Sequence, residues 1–150
     1  MANVHRSALV PFSAEQMFLL VNDVAAYPEF LPGCQSSQVL SESKEGMMAR
    51  VDVAKMGISK SFTTQNTLIW GREIGMNLVD GPFRSLHGHW RFEPIDDDAC
   101  HVELSLEFEF TSPLIEMAFG QVFKELTHNM VKAFSQRAHH VYQSCSFASC

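Results

Sequence analysis

Between Cys100 and Phe110 the chain alternates without a fault. Cys100, Val102, Leu104, Leu106, Phe108 and Phe110 fall on one side; His101, Glu103, Ser105, Glu107 and Glu109 fall on the other. One dry face and one wet face at a period of two is the pattern of an antiparallel strand with solvent on its outer side. The segment before it repeats the pattern, with Leu86, Gly88, Trp90 and Phe92 inward and Ser85, His87, His89 and Arg91 outward. In all, strands are predicted over residues 4–10, 35–41, 47–55, 59–70, 73–80, 83–93 and 99–110. The breaks among the last six carry turn chemistry at Glu45-Gly46, Met56-Gly57, Gly71, Asp80-Gly81-Pro82 and Asp96-Asp97-Asp98. Turns this short join antiparallel neighbours, because parallel strands need crossovers of a dozen residues or more. In the first strand the alternation does not decide whether even or odd residues face inward.

The period changes twice. Ser13-Ala14-Glu15-Gln16 has the form of a capping box, with Phe12 placed to staple against Met17, and opens a short helix to about Asn22. Asp23 is placed to cap a second short turn ending near Tyr27-Pro28, and Pro32-Gly33 forces another turn. Near the end, residues 112–142 predict one long helix, with Ser112 as N-cap and Pro113 at the first helical position. At about 100° per residue, Ile115, Phe119, Val122, Phe123, Leu126, Met130, Ala133, Phe134 and Val141 share an arc of about 120°. A helix of ~30 residues spans ~45 Å, enough to cross six or seven strands spaced ~4.8 Å apart. The expected fold is α+β: a seven-stranded curved antiparallel sheet wrapped around a long C-terminal helix, in the order β-α-α-β-β-β-β-β-β-α. Residues 1–143 are expected to form one domain, and residues 144–150 a short flexible tail.

Such a sheet and helix leave room for a tunnel between the two layers. Its expected lining is Val51, Val53, Phe62, Leu78, Leu86, Trp90, Phe92, Phe108, Phe119, Phe123, Leu126, Met130 and Phe134. These side chains either wall a cavity suited to an isoprenoid tail, where each buried CH₂ contributes ~0.8 kcal/mol, or simply fill the core. Phe30, Leu31 and Phe83, in two stiff aromatic loops, stand either as a portal to the tunnel or as plugs at the sheet ends. Arg137 lies inside the apolar arc, where it either greets a polar headgroup at the tunnel mouth or snorkels into water. Gly120, in mid-helix, costs ~1 kcal/mol relative to Ala unless a strand or ligand approaches its backbone closely.

Composition narrows the function. A net charge of −6 argues against a protein that blankets phosphates with Lys and Arg. No apolar run approaches 18 residues, so no membrane span is expected. The cysteines, Cys34, Cys100, Cys145 and Cys150, lack metal-type spacing, and with no leader segment a reduced cytoplasmic compartment is expected. His87 and His89 share a strand face at a spacing that fits two metal ligands, but no third ligand is evident and a solvated face explains them. Asp96-Asp97-Asp98 lacks the glycine and distal glutamate of a calcium loop. No nucleophile elbow, phosphate-binding glycine motif or zinc helix occurs, so no catalytic residue, metal or required cofactor is expected.

Several strings then carry a resemblance. They are Leu9-Val10-Pro11-Phe12-Ser13-Ala14-Glu15-Gln16-Met17, Asn22-Asp23-Val24, Tyr27-Pro28-Glu29-Phe30-Leu31-Pro32, Asn77-Leu78-Val79-Asp80-Gly81-Pro82-Phe83 and Phe119-Gly120-Gln121-Val122-Phe123. In this order over residues 3–142 they resemble the START-like, helix-grip superfamily. More closely, they resemble the bacterial ribosome-association toxin (RatA) family and its mitochondrial relatives, the coenzyme Q-binding proteins. The mitochondrial relatives commonly carry Trp where this chain has Gly33. The resemblance implies a non-enzymatic binder of ubiquinone or a similar isoprenoid lipid that supports respiration, with the quinone in the tunnel. Its other branch implies a toxin that binds the large ribosomal subunit, blocks joining with the small one and so inhibits translation initiation. For that role the outer strand face around Arg84, His87, His89 and Arg91 is the expected contact. A cyclase- or dehydratase-like enzyme using the same cavity is a third alternative. The expected location is cytoplasmic, or peripheral at the inner membrane with transient surface contact.

Overall fold

The computed structural model describes residues 2–55 and 57–143, for Gln143 its backbone only. Cys145, Cys150 and the expected tail lie outside the described residues. Seven strands, β1 (Ala2–Val10), β2 (Cys34–Glu42), β3 (Gly46–Lys55), β4 (Ile58–Ile69), β5 (Glu73–Asp80), β6 (Phe83–Asp96) and β7 (Ala99–Phe110), form one antiparallel sheet. Its spatial order is β1-β7-β6-β5-β4-β3-β2, so only the first strand departs from a plain meander, crossing over to pair with the last. The helices are α1 (Ala14–Asn22) and α2 (Pro113–Ala138), and α2 lies across the sheet against β1, β7 and β4.

The element order differs from the expected one at two places. The second predicted helix is a 3₁₀ segment, Val24–Glu29, and Asp23 makes no side-chain cap to it. Pro28 within it lacks the N–H that a longer α-helix would need. The last helix ends as an α-helix at Ala138 and continues as one wide turn, His139–Gln143.

The local signals that start the helices are present as expected. Gln16 N–H donates to Ser13 Oγ at 3.1 Å, and Ser13 N–H donates to Gln16 Oε1 at 2.9 Å. Ile115 N–H donates to Ser112 Oγ at 3.2 Å, ahead of Pro113 at the first position of α2. Each closes a helix N-terminus that would otherwise leave a backbone donor unpaired.

Register settles the sidedness of β1. Val4, Arg6, Ala8 and Val10 stand opposite Leu106, Leu104, Val102 and Cys100, so the even residues share the dry face of β7. Leu9 is left in solvent, 72% exposed. The core gathers under α2, where Phe92, Phe108, Phe119 and Phe134 are fully buried. Gly88 permits the sheet to close tightly over this core. A Cβ built there would lie 2.1 Å from the Ser105 carbonyl oxygen and 2.9 Å from Leu106 Cα, so only glycine fits β6 this close to β7.

Candidate functional site

Between the concave face of the sheet and α2 lies an apolar cavity of about 70 Å³. Alternation along the strands supplies one wall: Ala49 and Val51 from β3, Phe62, Thr64 and Asn66 from β4, Met76 from β5, Leu86 and Trp90 from β6, Leu104 and Leu106 from β7. Helical spacing supplies the other, with Phe123, Leu126, Thr127 and Met130 on successive turns of α2. The 3₁₀ segment and the loop after it close one end with Val24, Tyr27 and Leu31. The volume is well below the ~300–1,000 Å³ of pockets that hold drug-sized molecules. A larger ligand must therefore move walls, and the unbranched side chains of Met76 and Met130 are the easiest to repack.

Of the residues expected to line a tunnel, Val51, Phe62, Leu86, Trp90, Phe123, Leu126 and Met130 do face this cavity. Val53, Phe92, Phe108, Phe119 and Phe134 do not. They are fully buried core beside it, and Leu78 packs against that core partly buried. Aromatic contacts explain the division. Phe123 is held edge-on by Phe83 at 4.8 Å and Phe108 at 4.9 Å, and Phe134 by Tyr27 and Trp90, each at 5.3 Å. Such pairs add ~0.5–1.5 kcal/mol beyond area burial and tie Phe108 and Phe134 into the packed core beside the cavity.

The portal expectation divides as well. Phe83 is 4% exposed and stacks on Phe110 at 5.1 Å, so it is core and not a portal. The reason is register: Phe83 opens β6 directly opposite Phe110, on the dry face. Leu31 lines the cavity. Phe30 packs over Phe134, and the Arg137 guanidinium sits 5.0 Å above the Phe30 ring. Arg137 also donates from Nη2 to Glu29 Oε1 at 3.1 Å. Arg137 thus stands outside the cavity and braces the 3₁₀ segment onto α2.

Gly120 shows no unusually close approach. A Cβ there would meet Glu116 Cγ at 3.5 Å and Phe110 Cε2 at 3.7 Å, both ordinary contacts.

The cavity holds little acid–base chemistry. Among the described residues Tyr27 is its one titratable lining group, and burial pushes its hydroxyl above the usual range while it donates to the Val21 carbonyl. The buried thiols, which do not line it, are similarly inert: burial pushes Cys34 and Cys100 each up to about 11, so neither is a thiolate at neutral pH. Among the described residues no cluster of three or more His, Cys, Asp or Glu could hold a metal ion.

Sequence reasoning missed Val24, Tyr27, Ala49, Thr64, Asn66, Met76, Leu104, Leu106 and Thr127. Leu104 and Leu106 were legible on the dry face of β7. Thr64 and Asn66 were not, because both faces of β4 are polar: Thr63, Gln65 and Thr67 alternate with Phe62, Thr64 and Asn66.

Outside the cavity the cations of the β6 face are compensated. Arg84 pairs with Glu109 at 3.6 Å, His87 with Glu107 at 3.1 Å and His89 with Glu103 at 3.5 Å. Arg91 pairs with Glu73 at 3.0 Å and Glu103 at 4.0 Å. A different groove, between the free edge of β1 and α2, is lined by Arg6, His128, Lys132 and His139 with no carboxylate among its lining residues. Arg6 reaches His128 Nδ1 across it.

Comparison with known proteins places this architecture. The family profile described as "Polyketide cyclase / dehydrase and lipid transport" matches residues 10–135. A protein of Vibrio cholerae named "Ribosome association toxin RatA" is 64% identical over 142 residues, covering 95% of this chain and 99% of that one. The protein of the same name in Escherichia coli K12 is 57% identical, covering 96% and 91%. A Xenopus laevis protein named "Coenzyme Q-binding protein COQ10 homolog B, mitochondrial" is 31% identical over 91% of this chain and 57% of its own length. Among solved structures, the Zhui aromatase/cyclase of Streptomyces sp. R1128 superposes with a TM-score of 0.81 at 17% identity, covering 92% of this chain and 93% of that one. A START superfamily protein of Mycobacterium smegmatis superposes at 0.74 and 21%, covering 93% and 98%. At these identities the two structures establish the helix-grip fold alone.

Proposed function

We propose, from the premise that the chain belongs to the polyketide cyclase / dehydrase and lipid transport family, that it acts as a ribosome-association toxin of the RatA kind and is a binding domain, not an enzyme. The observation that carries this reading is the 64% identity, over nearly the whole of both chains, to a protein of that name. The contact surface we assign is the groove between β1 and α2. Arg6 and Lys132 have no carboxylate partner among the described residues, whereas the cations on β6 already spend their charge on glutamates. In a protein of net charge −6, a local patch is the arrangement that can still meet RNA phosphates. The non-enzymatic part rests on the cavity lining, which among the described residues offers Tyr27 as its one ionisable side chain and ties that hydroxyl to a backbone carbonyl. General acid–base catalysis needs a group whose pKa lies near the working pH.

A second reading is favoured by the cavity itself. Its apolar lining suits an isoprenoid quinone such as ubiquinone, and the mitochondrial relative is named for coenzyme Q binding. The two readings are compatible, because one uses the interior and the other the outer surface.

Sedimentation and extraction separate them. The full chain should migrate with large ribosomal subunits on a sucrose gradient and raise the proportion of unjoined subunits. Arg6→Glu with Lys132→Glu should lose at least tenfold in that association, while His89→Glu with Arg91→Glu should not. Absence of the wild-type chain from the large-subunit fractions would overturn the first reading. Organic extraction of the protein purified from a quinone-making host, followed by mass spectrometry, tests the second: a stoichiometric isoprenoid supports it and an empty extract refutes it.

A further inference from the structure

The cavity wall carries one amide that the protein leaves half used. Asn66 is 7% exposed and lines a cavity that is otherwise almost wholly apolar. Its Oδ1 accepts a hydrogen bond from Thr64 Oγ1 at 2.8 Å, which fixes the plane of the amide. Its Nδ2 makes no hydrogen bond among the described residues. Turning the amide over would make Nδ2 donate to Thr64 Oγ1 and leave Oδ1 open, so one end lacks a partner either way; with the Thr64 hydroxyl donating to Oδ1, the open end is the donor Nδ2. The remaining polar lining groups do not help, because Thr127 donates its hydroxyl to the Phe123 carbonyl at 3.0 Å and Tyr27 donates its own to the Val21 carbonyl. Buried polar groups in native proteins are almost always hydrogen-bonded, so an amide donor left open on the cavity wall points to a partner from outside the chain.

Strand pairing explains why the amide faces inward. Asn66 stands opposite Met47 on β3 and Met76 on β5, and Met76 stands opposite Gly88 on β6. The amide therefore lies midway across the concave face, in a row otherwise made of flexible or absent side chains. A flat headgroup seated between the sheet and Met130 of α2 would displace the side chains of Met76 and Met130 and lie against the amide.

We propose that Asn66 is the polar anchor of this cavity. It donates from Nδ2 to a carbonyl oxygen of an apolar ligand, with Thr64 as the positioning residue that holds the amide in the donating orientation. The ligand class is an apolar molecule bearing a ring or chain carbonyl, of which quinones are the example tested. This rests on the second reading above, that the cavity takes an apolar ligand, and adds which group recognises it. A site built to donate a hydrogen bond discriminates against an analogue that lacks the acceptor.

The test uses the full chain and two probes. Decylubiquinone carries the carbonyls; the dimethyl ether of its quinol keeps the ring, substituents and tail but has none. Wild type should bind decylubiquinone at least tenfold more tightly than the ether, a difference of ~1.4 kcal/mol. In the infrared, the carbonyl band of bound quinone should move to lower frequency than in hydrocarbon solution. Asn66→Leu should erase both the affinity difference and the band shift while still binding the ether as wild type does. Thr64→Val, which frees the amide to turn, should give an intermediate ratio. Equal affinity of wild type for the two probes with an unshifted band overturns the anchor and leaves the apolar-ligand reading standing. Failure of wild type to bind either probe overturns both. If Asn66→Leu does not fold, the wild-type band and the Thr64→Val ratio decide the matter.

Discussion

Two glycines with opposite surroundings should respond to the same methyl group with opposite signs. At Gly120 the added Cβ would lie 3.5 Å from Glu116 Cγ and 3.7 Å from Phe110 Cε2, within ordinary van der Waals range. Nothing has to move, so Gly120→Ala keeps the helix-propensity gain of about 1 kcal/mol. For a 150-residue domain, unfolding entropy near 2.1 cal/mol/K per residue gives about 0.3 kcal/mol/K, so Tm should rise by about 3 °C. At Gly88 the same atom would lie 2.1 Å from a backbone carbonyl oxygen. To reach a tolerable separation β6 would have to move away from β7 by ~1 Å, at a cost of about 3 kcal/mol, the upper end of ordinary overpacking. That corresponds to a fall of about 10 °C. Calorimetric melts of the two variants beside wild type measure both. A fall in Tm for Gly120→Ala would mean that α2 lies closer to β7 than described. An unchanged Tm for Gly88→Ala would refute the tight closure of the sheet over the cavity.

Other outcomes follow from the site and the outer face. Ala49→Met grows a side chain into the cavity of about 70 Å³ and should leave Tm unchanged or slightly higher while abolishing isoprenoid retention; extracts that still contain the lipid would place the ligand elsewhere. Arg137→Ala removes the brace to Glu29 and the cover over Phe30, and should speed probe exchange in stopped-flow fluorescence several-fold with little change in the large-subunit association; an unchanged rate would remove the 3₁₀ segment from the entry path. Asp52 bridges three strands by accepting from Ser36 and Ser61, and those bonds together with Arg50 hold its carboxyl below the usual range. A depressed folded-state pKa contributes stability above the unfolded value, near 4, that is lost as pH falls through the folded value. Asp52→Asn should therefore cost about 1 kcal/mol at pH 7, with the gap to wild type closing in denaturation curves below about pH 4. A gap that stays constant with pH would refute the carboxylate's role.

Much of the fold was legible because periodicity is a local property. Cys100 to Phe110 alternates, the apolar stripe of α2 repeats at helical spacing, and Ser13 with Gln16 closes a capping box. Each of these depends only on residues a few positions apart. The cavity was half legible for the same reason: an apolar residue on the dry face of a strand or helix is a candidate for its wall, as Leu86, Trp90, Phe123 and Met130 are. Whether such a residue meets space or another ring is a question of packing. Phe108 and Phe119, equally apolar, meet rings.

The sequence by itself determined the seven strands and the two α-helices, their succession along the chain and the dry faces of β6, β7 and α2. Only the tertiary structure decided sidedness and pairing. It put Arg6 of β1 across a groove from His128, some 120 residues away in sequence, paired Arg84, His87, His89 and Arg91 with glutamates, and buried Phe83 against Phe110. It also turned Thr64 and Asn66, polar residues on a strand whose two faces look alike, into the cavity. The physical reason is that strand register couples residues far apart in the chain. A shift of one position exchanges the inner and outer faces, and no local pattern on a polar strand resists that exchange.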